Sequence, residues 1–123
     1  MILVDTSVWI DHLRNGDSAL ANLLNIGQVL THPFVIGELA LGSLRQRDVI
    51  LDALNDMPRA KIATDDEVLA LINQSNLYGI GIGYIDAHLL ASTRLTPGTL
   101  LWTRDKRLRT VANQVGLLAA LAH

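Results

Sequence analysis

The chain contains no cysteine. That excludes disulfides, thiolate metal ligands and a cysteine nucleophile together, and it agrees with a reducing compartment. Aromatic residues are scarce, with two tryptophans, two tyrosines and one phenylalanine. Little ring surface is therefore available for stacking on bases. An excess of positive charge is missing too: the net charge is −2. This excludes nucleic-acid binding through bulk charge and leaves only a local basic patch. The first apolar run is four residues long and stops at an acid. Neither a secretory signal nor a membrane span is expected, and the chain reads as cytoplasmic. Internal repeats and low-complexity tracts are absent.

What is present is a chain of 123 residues, 50% hydrophobic, with the apolar residues spread along its length. That is enough for one domain over 1–123 and a core that needs no staples. Short apolar stretches alternate with helical patterns. Ile2 to Val4 is a fully apolar, β-branched-rich triplet that suits a central strand. Val29-Leu30-Thr31, Lys61-Ile62-Ala63 and Thr99 to Thr103 are expected to be further strands, and Val115 to Leu118 one more at an edge.

Between them, helix starts are expected at Thr6 or Ser7, at Ser18, after Pro33, at Asp48 and at Thr64. Thr64 with Glu67 has capping-box spacing. Apolar strands alternating with helices want both sheet faces covered, so the expected fold is a three-layer α/β domain with a mostly parallel sheet. Ligands bind such sheets beyond the C-terminal strand ends.

Two acids stand at such ends. Asp5 follows Val4 directly, and Asp105 follows the late strand. Either alone has a plain reading as a helix cap; two on one sheet edge invite chemistry. Glu38 lies inside an apolar helical stretch, where an unpartnered carboxylate is costly. Asp86 sits between Ile85 and Ala87, and also suits a helix first turn. Four carboxylates brought together repel unless a cation sits among them. Oxygen donors of this kind suit magnesium or manganese. Spacing alone does not show that the four meet.

The blocks MILVDTSVWIDHLR, HPFVIGELALG, GIGYIDAHLLA and LLWTRDKRL span essentially the whole chain. Carrying them, the sequence resembles a PIN-domain ribonuclease, and within that family the VapC toxins of bacterial type II toxin–antitoxin pairs. The resemblance implies an α/β/α sandwich around a parallel sheet of four or five strands. It puts the catalytic and metal-binding acids at Asp5, Glu38, Asp86 and Asp105. Supporting polar residues fall at Thr6 or Ser7 and at Thr103. It further implies Mg²⁺, with Mn²⁺ as a substitute, and hydrolysis of RNA phosphodiester bonds. A homodimer and a VapB-like antitoxin partner come with the resemblance, as do transfer- or ribosomal-RNA loops as targets.

Carboxylates alone would repel RNA. Arg45 and Arg47, with Lys106, Arg107 and Arg109, are the candidate phosphate contacts; they read equally as solvated helix faces. The glycines at 79, 81 and 83 lack the dinucleotide fingerprint and more simply shape the approach to Asp86. His12, His32, His88 and His123 are too scattered for a zinc site. A phospho-receiver would need paired early acids. A haloacid-dehalogenase-like phosphatase would want a second aspartate two residues after the first, where Ser7 stands. Two further readings keep the fold: a nuclease of RNA maturation or decay, and a non-catalytic PIN-like subunit that binds RNA or protein.

Overall fold

The computed structural model describes residues 1–121; His123 lies outside them. Three strands and seven helices form in the described residues. Strand β1 (Ile2–Val4) is followed by helices α1 (Thr6–Asn15) and α2 (Ser18–Asn25). Strand β2 (Val29–Leu30) leads to α3 (Pro33–Leu41), α4 (Arg47–Asp56), α5 (Asp65–Gln74) and α6 (Tyr84–Leu95). Strand β3 (Leu100–Trp102) precedes α7 (Lys106–Gln114).

The sheet is wholly parallel, in the order β2-β1-β3. Its central strand is the opening triplet, as an all-apolar stretch requires. Leu3, Val4, Leu101 and Trp102 are all fully buried. Successive residues on a strand face opposite ways, so both faces of the sheet are covered.

The sheet has three strands, not the expected four or five. The two missing strands are each reduced to one isolated bridge at a sheet edge: Thr31 with Arg59 and Leu101 with Leu118. Beside β2, the segment enters at Pro58, which has no N–H to give, and Lys61 and Ile62 then turn to solvent. Beside β3, Gly116 takes a positive φ of 74° and bends the chain just before the bridge. Each segment still offers its nearest backbone groups: Thr31 N–H donates to the Pro58 carbonyl and Leu101 N–H to that of Leu117.

Local capping explains most helix starts. Pro33 occupies the first turn of α3, and Thr64 and Glu67 form a reciprocal capping box on α5. Three expected starts move by a residue or two. Asp17, not Ser18, caps α2 by accepting the Leu20 N–H. Gln46 precedes α4, leaving Asp48 in its first turn. Asp5 takes the cap position of α1 in place of Thr6 or Ser7.

Candidate active site

All three strands point their C-terminal ends to one edge. Val4 pairs with Trp102 in register, and Asp5 N–H donates to the Trp102 carbonyl at 2.9 Å. The residues that follow, Asp5 and Thr103, are therefore neighbours across the strand ends. Asp5 is 6% exposed. It holds the cap position of α1, yet its carboxylate caps nothing. Ser7 Oγ donates to Asp5 Oδ2 at 2.7 Å and Thr103 Oγ1 donates to the same oxygen at 2.8 Å. Each hydroxyl oxygen in turn accepts a main-chain N–H, Ser7 Oγ from Arg104 and Thr103 Oγ1 from Asp105. Both hydroxyl protons are thus committed to one carboxylate oxygen. Among the described residues no hydrogen bond reaches Oδ1, so that oxygen keeps its lone pairs for another partner.

Asp105 does cap a helix, its Oδ1 accepting the Leu108 N–H at the start of α7. The cap uses one oxygen and leaves the charge at the strand edge. Glu38 lies on the exposed side of α3, where Oε1 accepts the Thr6 hydroxyl at 2.7 Å. Thr6 and Ser7 therefore divide the work, one on Glu38 and the other on Asp5.

Asp86, in the first turn of α6, accepts the Gly83 N–H at 3.2 Å. Its carboxyl is pushed above the ordinary value, first by burial and then by the charges of Asp5, Asp105 and Glu38; the Gly83 hydrogen bond partly offsets this. Like charges raise a carboxylate only when close in a shielded place. The four acids therefore share one field.

They do not converge into a closed cage: no group of three or more ligating side chains among the described residues is close enough to hold an ion as it stands. The donor chemistry still fits a hard divalent cation. The candidate donors are all carboxylate oxygens, Asp5 keeps one of its two free of hydrogen bonds, and Asp86 is raised by burial and then by the other three acids.

The basic residues scatter more. Arg109 donates to the Thr103 carbonyl, and Arg107 lies across Gly81 with Nη1 on its carbonyl. Both are thereby held beside the acidic edge. Gly81 has a φ of 86°, and a Cβ there would run into the Arg107 guanidinium. Lys106 begins α7 and is exposed. Arg47 turns back to the Ala40 carbonyl and stands 4.0 Å from Asp48. Arg45 lines a separate cavity of about 460 Å³, together with Ile10, Leu13, Arg14, Leu39 and Ile50, and Glu38 stands at its wall.

One residue escaped the sequence reading. Arg104 sends Nη1 to Asp11 Oδ2 at 2.9 Å and Nη2 to Asp17 Oδ2. Its guanidinium lies 5.4 Å from the Trp102 ring centroid. Hydrogen bonding to Arg104 holds the Asp17 carboxyl below the ordinary range. Nothing in sequence spacing pairs residues so far apart.

The PIN-domain family model matches residues 2–114. Two curated relatives, both named ribonuclease VapC32, come from Mycobacterium tuberculosis strains CDC 1551/Oshkosh and H37Rv. Each is 51% identical over 120 residues, covering 98% of this chain and 97% of the relative.

Proposed function

The chain belongs to the PIN-domain family, and from that premise we propose that it is a metal-dependent ribonuclease, the toxin of a toxin–antitoxin pair. The observation that carries this reading is the gathering of the four acids toward one sheet edge, with Asp86 raised first by its burial and then by the charges of the other three. A domain that only bound a partner would have no use for charges that destabilise it in this way. The 51% identity to relatives named ribonuclease supports the same reading.

Asp5, Glu38, Asp86 and Asp105 would hold Mg²⁺ or Mn²⁺. When bound, the ion offsets the carboxylate charge, lowers the pKa of water and stabilises negative charge growing on a phosphoryl oxygen. The protein's own part is orientation. Ser7 and Thr103 fix the Asp5 carboxylate from one side, which leaves Oδ1 to face a ligand. Thr6 sets the Glu38 rotamer. Arg107 and Arg109, held at the rim, would meet the RNA phosphates, with Lys106, Arg45 and Arg47 as outer contacts. Phosphate contacts place the strand without reading it. Target choice then rests on the shape of a single-stranded loop, such as one in transfer or ribosomal RNA.

The cavity walled by Glu38 suits a segment of a VapB-like antitoxin, with apolar side chains against Leu13, Leu39 and Ile50. A homodimer belongs to the same proposal. Among the described residues no helix is long and apolar enough to cross a membrane. A cytoplasmic site of action agrees with an RNA substrate.

The test uses partner-free protein and total cellular RNA, with cut ends mapped in Mg²⁺, Mn²⁺ and EDTA. Discrete cuts are expected with either metal and none in EDTA. Asp5→Asn should fold and lose cleavage by at least about 100-fold, the scale for losing a group that organises charge in the transition state. Absence of cuts from folded wild-type protein would overturn the ribonuclease reading. Growth arrest on expression, relieved by co-expression of a small neighbouring partner, separates a toxin from a processing nuclease.

A further inference from the structure

Arg104 stands between Thr103 and Asp105, two residues of the acidic edge, yet its side chain turns away from that edge. The guanidinium forks onto two carboxylates of other elements: Asp11 on α1 and Asp17, the cap of α2. Arg104 and Asp17 are 19% and 17% exposed at their side chains, so this pair is shielded from solvent. Asp17 is doubly used, because Oδ1 caps α2 while Oδ2 takes the arginine. The Asp17 N–H also donates to His12 Nδ1 of α1. Below the guanidinium lies Trp102, the last residue of β3. The main chain of Arg104 meanwhile donates to Ser7 Oγ at 3.0 Å, and Ser7 holds Asp5. One residue therefore ties the corner that carries Asp105 to the corner that carries Asp5.

We propose that Arg104 is a positioning residue: its fork onto Asp11 and Asp17 holds the β3–α7 corner against α1, and so sets the spacing at which Asp5 and Asp105 receive a divalent cation. This rests on the metal-site reading above. Bidentate planar geometry is what arginine offers and lysine does not. Groups that orient a ligand without touching the metal typically change metal affinity 10- to 100-fold.

The sign of the effect separates this role from simple electrostatics. Arg104 is a cation near a cation site. If it acted only through charge, its removal would tighten divalent-ion binding. A clamp predicts the reverse.

The experiment is Mn²⁺ titration by calorimetry on the partner-free full chain, with Tm followed in parallel. Arg104→Met, Arg104→Lys and Asp17→Asn are compared with wild type; asparagine keeps the α2 cap. Arg104→Met should weaken Mn²⁺ binding about 10-fold. Arg104→Lys, which keeps the charge and loses the fork, should restore only part of that. Asp17→Asn should weaken binding too, and less than additively when combined with Arg104→Met.

Wild-type or tighter binding in folded Arg104→Met overturns the clamp and leaves the site reading standing. Should that variant fail to fold, Arg104→Lys decides, since it keeps the charge and loses the fork: wild-type affinity in it overturns the clamp. Absence of Mn²⁺ binding by wild type overturns the site reading, and the proposed role of Arg104 with it.

Discussion

Asp5 shows what a single side chain can be made to do by its neighbours. The cap position of a helix invites an aspartate to bond the exposed N–H groups of the first turn. Here two hydroxyls claim one of its oxygens instead, and the helix goes without a side-chain cap. That leaves Oδ1 without a hydrogen bond among the described residues, open to solvent or to a ligand.

His32 is the opposite case, a buried polar residue with a purely structural account. Its Nδ1 accepts the Phe34 N–H, so the proton sits on Nε2, which donates to Ser92 Oγ. Burial, then the charges of His88 and Arg59, lower it from 6.5 to about 4. Its folded value lies below its unfolded one, so its contribution is intact above pH 6.5 and is lost as pH falls toward 4. Between pH 7 and pH 5 this should cost about 2 kcal/mol of stability. Urea denaturation at the two pH values measures it, and His32→Asn should flatten the dependence. An unchanged pH slope in that variant would remove His32 as its source.

At the scale of elements, α7 joins two roles in one residue. Asp105 caps the helix through Oδ1 and also contributes to the field on Asp86. Asparagine preserves a cap and removes a charge; alanine removes both. Asp105→Ala should lose about 1 kcal/mol of stability, and Asp105→Asn only a few tenths. Both should lose RNA cleavage. Equal destabilisation by the two variants would count against the cap, and wild-type cleavage by Asp105→Asn would reduce Asp105 to a cap alone.

The element scale is also where the sheet departs from expectation. An apolar triplet such as Ile2–Val4 becomes a strand because it has neighbours on both sides. The weak stretches at Lys61–Ala63 and Val115–Leu118 lie beyond the sheet edges, where one bridge each is all that Pro58 and Gly116 allow. Sequence shows the apolar residues but not whether a partner strand runs alongside.

For the whole molecule, the proposed metal site would make stability and metal binding two sides of one equilibrium. Asp86 is raised in the folded state, so its ionised form weighs against folding at neutral pH. Asp86→Asn should therefore raise the Tm of metal-free protein at pH 7, since its amide oxygen can still accept the Gly83 N–H. Wild-type protein should gain about 2.7 kcal/mol at a Mn²⁺ concentration 100 times its Kd. Asp86→Asn should lose most of that gain. Thermal melts with Mn²⁺ and with EDTA read both effects. A lower metal-free Tm in the variant, or an undiminished Mn²⁺ shift, would show that repulsion at Asp86 is not what the ion relieves.

The sequence shows what depends on near neighbours along the chain. It marked the central strand as an unbroken apolar triplet, the Thr64–Glu67 capping box, Pro33 in a first turn, and the acids set just past strand ends. These follow from backbone geometry and contacts within a few residues. Other features arise from which chain segments meet in the fold: the two hydroxyls on Asp5, Thr6 on Glu38, the fork of Arg104, and the edges at which a strand shrinks to one bridge. Thr103 reaches Asp5 across 98 positions and Arg104 reaches Asp17 across 87. Sheet register sets these distances, and no local propensity encodes it.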